Sequence, residues 1–297
     1  MSVTIGKPSI GERIFDISNV AVLGLLAVTT VYPFLNVLTV SFSTPTAANE
    51  YGLKLWPKEA TLEAYRSVFS NPYIWTGYAN TLFRTIVGTT LNVMFSVLCA
   101  YPLSKRYLPN RNLYTLFIIF TMFFSGGLIP NYLLVKELGL LDSRWALILP
   151  GLIAPFTMII VRNFFMSLPA EVEESAKIDG ADDLKVLYSI VLPVSKPIIA
   201  TISLWYAVAH WNAWFDSLLY IHDPNKTVLG TVLQKIVVEG SQEFQDFEKA
   251  QVGMGITVTP DIIKAATIMV ATFPILCVYP FIQKYFVKGV MIGSLKG

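Results

Sequence analysis

Apolar residues run along this chain in long unbroken stretches, without the alternation of half-buried strands or the single stripe of a surface helix. Six windows contain no Asp, Glu, Lys or Arg: 17–49, 85–104, 112–135, 145–161, 197–215 and 265–283. Each is at least 17 residues long, and about 17 is the lower limit for a helix crossing a hydrocarbon core. A seventh window, 67–83, is interrupted by Asn71, Pro72, Gly77 and Asn80 and reads as an interfacial lead-in to the second span. The pattern predicts an all-α polytopic membrane protein, one transmembrane domain over 1–297, with spans at about 17–42, 82–104, 112–135, 145–162, 197–220 and 263–284. The segment 165–196 is left as an inner loop. Pro33, Pro130, Pro150, Pro155, Pro274 and the Gly126-Gly127 pair fall inside the windows. In a helix bundle they are tolerated, because neighbouring helices or cavity water take up the freed backbone groups. A closed β-barrel would need alternating segments of about 10 residues, which these are not.

Composition sharpens the picture. Apolar residues make up 54% and charged residues 14%, against roughly 25% charged in soluble domains. The 13% aromatic content and net charge of +2 are the opposite of a self-repelling disordered chain. Cys99 and Cys277 both sit in apolar stretches, so no disulfide framework or cysteine zinc site is indicated. Lys and Arg are retained on the cytoplasmic side. With the amino terminus inside, inner segments carry 12 of the 22, and the tight turn between the second and third spans holds Lys105, Arg106 and Arg111. That orientation places both termini in the cytoplasm. The first apolar run is far longer than the roughly 7–15 residues of a signal-peptide core, so it is expected to be retained.

The inner loop between the fourth and fifth spans carries the most information. Pro169 suits a first helical turn, and Glu171, Glu173 and Glu174 lie where the helix dipole favours carboxylates. Gly180 is placed to end that helix in a left-handed conformation, and Asp182 to cap a second one. In the second helix Leu184, Leu187, Tyr188 and Val191 fall on one stripe, and Pro193 and Pro197 close it. Two short helices with a glycine corner and small residues, Ser175 and Ala176, at the tip suit the close approach of a partner.

This stretch resembles the cytoplasmic signature of ABC-importer permeases: Glu-Ala-Ala, three residues, Gly, nine residues, Ile, one residue, Leu-Pro. Here Glu174-Ser175-Ala176, Gly180, Ile190, Leu192 and Pro193 keep every spacing, with Ser175 as the one small-for-small departure. Trp56-Pro57, Thr61-Leu62 with Tyr65, Asn80-Thr81-Leu82, Ala100 to Ser104, Ile178-Asp179-Gly180-Ala181 and the end from Gln283 to Gly289 are similar to the carbohydrate-importing branch. They are most like its maltose-type second permease, in the oligosaccharide subgroup that includes the alginate importer.

The resemblance implies a permease subunit in a bacterial plasma membrane, importing an oligosaccharide of acidic, alginate-like type. Its partners would be a second permease, two ATPase subunits and an extracytoplasmic solute-binding protein, with no nucleic acid. Glu174, Ser175, Ala176, Asp179 and Gly180 would dock on an ATPase, Glu174 facing one of its cations, and the tail 293–297 would add a second contact. No cofactor is expected on this chain, since no Gly-x4-Gly-Lys-Ser/Thr loop is present. ATP and Mg would sit on the ATPase. The outer stretch 223–261, with mixed charges, reads as a solvated face meeting the binding protein.

Sugars are held by aromatic stacking and hydrogen bonds, so the fifth span offers Trp205, Tyr206, Trp211 and Asn212 for the substrate path, against the alternative of an interfacial aromatic belt. Arg84 is expected either to snorkel to the headgroups or to attract an acidic sugar at the outer mouth. No metal is indicated. Two rival readings stay open at this point: a polytopic membrane enzyme using the His210, Asp216 and His222 region, and a stand-alone carrier, which would show internal repeats.

Overall fold

A computed structural model describes residues 9–169, 171–178, 180–239 and 259–294, with only the backbone of Val172, Ser175, Val238, Glu239 and 278–294. The helices in chain order are α1 (Ile10–Ser41), α2 (Pro45–Ala48), α3 (Glu63–Ser70), α4 (Pro72–Ser104), α5 (Arg111–Phe123), α6 (Leu128–Glu137) and α7 (Pro155–Met166). They continue with α8 (Glu171–Ile178), α9 (Asp183–Val186), α10 (Leu192–Val194), α11 (Lys196–Asn212), α12 (Phe215–Tyr220), α13 (Leu229–Gln234) and α14 (Pro260–Ser294). Among the described residues there is no strand, only an isolated bridge between Ser43 and Ala60. The all-α expectation holds. The backbone divides into two compact units, 1–70 with 240–272 and 71–239 with 273–297.

In the first unit, α1 starts at Ile10, ahead of the expected residue 17, because Ser9 and Glu12 form a reciprocal capping box that fixes its first turn. At 32 residues and about 1.5 Å per residue it is long enough to cross a bilayer. Ile14, Phe15, Val22 and Leu26 are among its exposed apolar side chains, so its solvent is lipid or another apolar helix. Past its end, Phe42 and Tyr65 stack at 4.7 Å and the Tyr65 hydroxyl meets Ser41 Oγ at 2.7 Å. The part of α14 in this unit buries Ile262, Ile263, Ala266 and Thr267.

The second unit is built on α4. Asn71 caps it, accepting from the Tyr73 amide at 2.9 Å, and Pro72 opens its first turn. The window 67–83 is therefore no simple lead-in: from Pro72 it belongs to the second span, which runs for 33 residues. The carboxyl-terminal half of α4 packs Val97, Ala100, Tyr101 and Leu103 against Met158, Val161 and Phe165 of α7 and Ile202 and Tyr206 of α11.

Three expected spans are broken. The third bends by 113° between α5 and α6, where Gly127 takes φ +88 and only glycine is unstrained. The fourth opens as 3-10 turns, Arg144–Leu147 and Leu149–Gly151, and turns by 50° into α7 behind Pro155. The fifth stops at Asn212 and resumes as α12. Three described helices are long and apolar enough to cross a membrane, or up to six if each bent pair counts as one span, the third such pair being Asp183–Val194 with α11, bent by 85°.

Candidate functional site

The elbow between α7 and α11 forms as its residue types require. Asp182 caps α9 by accepting from the Lys185 amide at 2.7 Å. Gly180 turns the chain at φ +80, while the Ala181 amide returns to the Ala176 carbonyl at 3.0 Å. The expected stripe of the second helix is redistributed. Val186, Leu187 and Val191 are buried, whereas Leu184 and Tyr188 are exposed. The reason is a π turn over Leu187–Val191, which breaks the 3.6-residue register.

The residues expected to dock are divided by this geometry. Glu174 and Gly180 are exposed, and Ala176 packs inward against the Val186–Leu187 core. The side chain of Ser175, all of Asp179 and residues 295–297 of the tail lie outside the described residues, as does 240–258 of the outer stretch. Glu173 is used internally, both carboxylate oxygens accepting from Lys105 Nζ. The ammonium of Lys105 also stands 4.1 Å over the ring of Tyr101. A second tie lies beside it. Asp183 accepts from the Tyr107 hydroxyl at 3.0 Å and pairs with Lys177 Nζ at 3.0 Å. The Asp183 carboxyl is held below the usual carboxylate range, first by the Lys177 hydrogen bond and further by Tyr107.

A second constellation lies where α4 meets the break in the fifth span. Arg84 is 4% exposed. Its Nη1 donates to Asp216 Oδ1 at 3.0 Å and to the freed carbonyl of Ala213 at 3.2 Å, and its Nη2 binds Asp216 Oδ2. Its Nε donates to His210 Nδ1 at 3.3 Å. Across the ring, His210 Nε2 meets Asn92 Oδ1 at 2.7 Å. The Asn92 amide nitrogen donates to Gly151 and Leu152 carbonyls at 2.7 and 2.9 Å. Its oxygen is therefore the acceptor, the proton is on His210 Nε2, and Nδ1 is free to accept from Arg84. Gly88 makes room for the ring: a Cβ there would stand 2.5 Å from His210 Nε2.

This network corrects two expectations. Arg84 neither snorkels nor stands free for an acidic sugar, because Asp216 neutralises it inside the unit. Tyr206 is buried, and its hydroxyl meets Ser96 Oγ at 2.8 Å and accepts from the Ala154 amide at 3.3 Å, so it ties helices together. Trp205 packs half-buried against the inner core, Trp211 is half-buried, and Asn212 is exposed at the end of α11. His222 faces Asp142 at 3.5 Å in a turn after α12, while His210 serves Arg84 and Asn92. The two histidines are thus engaged with different partners, and the membrane-enzyme reading has no support.

Sequence reasoning missed Asn80, Asn92, Lys105 and Tyr107 as working residues. Asn80 binds the carbonyls of Asn225 and Thr227 at 2.8 and 3.0 Å and accepts from Arg144 at 2.9 Å, and Thr81 Oγ1 accepts from the Leu229 amide at 2.9 Å. The signal available was an Asn inside an apolar run, which is expensive unless it has a partner.

Residues 74–292 match the family described as binding-protein-dependent transport system inner membrane component. Protein LplC of Bacillus subtilis (strain 168) is 46% identical over 286 residues, 96% of each chain. The polygalacturonan/rhamnogalacturonan transport system permease protein YtcP of the same organism is 45% identical over 286 residues, 96% of this chain and 99% of the relative. Among solved structures, the chain is similar to one in the crystal structure of a bacterial ABC transporter involved in the import of the acidic polysaccharide alginate. That similarity has a TM-score of 0.89 and 34% identity, over 95% of this chain and 99% of the other.

Proposed function

The chain belongs to the family of binding-protein-dependent transport system inner membrane components, and from that premise we propose how it works. It is a multi-pass permease subunit of an ATP-driven ABC importer for a carbohydrate, and ATP is hydrolysed on a separate ATPase subunit. Its general partners are a second permease, an ATPase and a solute-binding protein. In the finer scheme there are two ATPase copies holding ATP and Mg, the binding protein is extracytoplasmic, and both termini of this chain are cytoplasmic. The substrate is an acidic oligosaccharide, a reading supported by the names of YtcP and of the alginate transporter. ATPase closure pushes the elbow and shifts the membrane helices between inward- and outward-facing populations. Trp205, Trp211 and Asn212 are the residues of α11 assigned to the sugar path.

The observation that carries this reading is the division of labour between adjacent carboxylates. Glu173 is consumed inside the fold, whereas Glu174 stands exposed on α8, free for a cation of the ATPase. Glu174, Ser175, Ala176, Asp179 and Gly180 form the docking surface in this scheme. The test is co-expression with the neighbouring permease and ATPase genes, with Glu174→Cys cross-linked to the ATPase and Glu174→Arg scored for co-purification. Cross-linking together with weaker retention of the Arg variant is expected. Equal reactivity of the Cys with and without the ATPase would sink the docking surface. Calorimetry of the binding protein with oligogalacturonate and oligoalginate tests the substrate class, and heat only with neutral sugars would overturn it.

A further inference from the structure

Besides the buried cluster it shares with α4, α7 and α11, the elbow is tied by polar side chains at two separate points to residues 101–107, the last turn of α4 and the start of the loop that follows it. At the first, Lys105 reaches Glu173 in the opening turn of α8 and stands 4.1 Å over Tyr101. The side chains of this pair are only 9% and 16% exposed, so water screens the charges weakly. At the second, Tyr107 donates to Asp183 at 3.0 Å and receives Lys177 Nζ at 3.4 Å, with that ammonium 4.5 Å over its ring. One anchor is on α8 and the other bridges α8 to α9. Both halves of the elbow are therefore tied to the same seven residues. Beneath them Tyr101 and Leu103 share a buried cluster with Val186, Leu187 and Val191.

The other end of α4 is fixed as firmly. Asn80 and Thr81 hold the outer turn at 225–229, and Arg84 and Asn92 hold α11 and the opening of the fourth span. By contrast α11 is joined to the elbow through a bend of 85° at Ser195, and the fourth span is itself bent by 50°. Of the helices packed on the elbow, α4 is the longest at 33 residues, so it offers a push on the elbow its longest stiff route across the unit.

We propose that Lys105 and Tyr107 are positioning residues that clamp the elbow to α4, so that the two move as one rigid lever when the ATPase closes. This rests on the elbow being the ATPase dock. The contacts of α4 then carry the displacement to Arg84, and through it to the break at Ala213, where the outer part of the fifth span begins.

The experiment uses the whole complex in nanodiscs, with Cys99 and Cys277 of this chain replaced by Ala. Spin labels go on Leu184→Cys in the elbow and Leu82→Cys on α4, both exposed positions, and their separation is read by pulsed electron resonance without nucleotide and with vanadate-trapped ATP. The native clamp is expected to keep that separation unchanged. Lys105→Met with Tyr107→Phe is expected to let it change by more than about 2 Å, the scale of helix shifts in switching transitions, while ATP hydrolysis continues. Lys105→Glu with Glu173→Lys, which restores the pair with reversed sign, should return the fixed separation. Overturning results are a native separation that already changes on trapping, or a double variant as rigid as the parent. A native complex that retains no ATPase would instead bring down the docking reading on which this stands.

Discussion

Replacing Asp216 by Asn tests whether the buried guanidinium of Arg84 depends on its counter-charge. The carboxylate offers two oxygens to Arg84, whereas the amide keeps one and turns an N–H toward Nη2. The cost of losing the counter-charge falls on folding. Stranding one member of a buried pair costs about 3–5 kcal/mol. The lower figure, about 3 kcal/mol, applies here, because Asp216 is 30% exposed and Ala213 and His210 remain as acceptors. At roughly 2–4 °C per kcal/mol for a unit of 150–250 residues, the midpoint should fall by roughly 6–12 °C. The assay is thermal loss of monodisperse complex by fluorescence-detected size exclusion, comparing native, Asp216→Asn, and Arg84→Met with Asp216→Leu. Removing both charges should restore most of the loss, since a matched apolar pair is close to neutral. A double variant that falls as far as the single one would refute the reasoning, by showing that shape and not stranded charge sets the cost.

Two further outcomes follow from the same contacts. Gly88→Ala should cost about 1–3 kcal/mol by overpacking, because its methyl would lie 2.5 Å from His210 Nε2. Combining it with His210→Ala should add nothing beyond His210→Ala alone in the same melting assay, and full additivity would rule out this clash. The Asp183–Lys177 tie should be insensitive to pH across neutrality. The lowered Asp183 carboxyl stabilises the elbow above its unfolded value and loses that contribution only as pH falls through the folded one. Lys177 is raised, chiefly by the hydrogen bond to Asp183, so its contribution is full below the ordinary lysine value and lost only in strong alkali. Mobility of a spin label at Leu184 should stay flat from neutral pH down to the carboxylate range and then rise. Asp183→Asn should shrink the rise, since the Glu173 anchor remains, and a step near pH 6 to 7 would contradict the assignment.

Much of the elbow was legible without coordinates, because its determinants are local. A cap at Asp182, a left-handed turn at Gly180 and three glutamates in one helical turn are properties of a few consecutive residues. The exposure of Leu184 and Tyr188 was not legible, since a π turn changes the angular step between residues whose types are unaltered.

Residue order alone makes this chain helical, gives most of it an apolar solvent and locates the elbow between the fourth and fifth spans. These follow from run lengths of apolar residues and from fixed short spacings. Tertiary structure alone decided which expected spans are broken and what the buried charges do. Arg84 and Asp216 are 132 positions apart, and no periodicity connects them. Their pairing exists because α4 runs past the end of α11, where a broken backbone and a buried cation each supply what the other lacks.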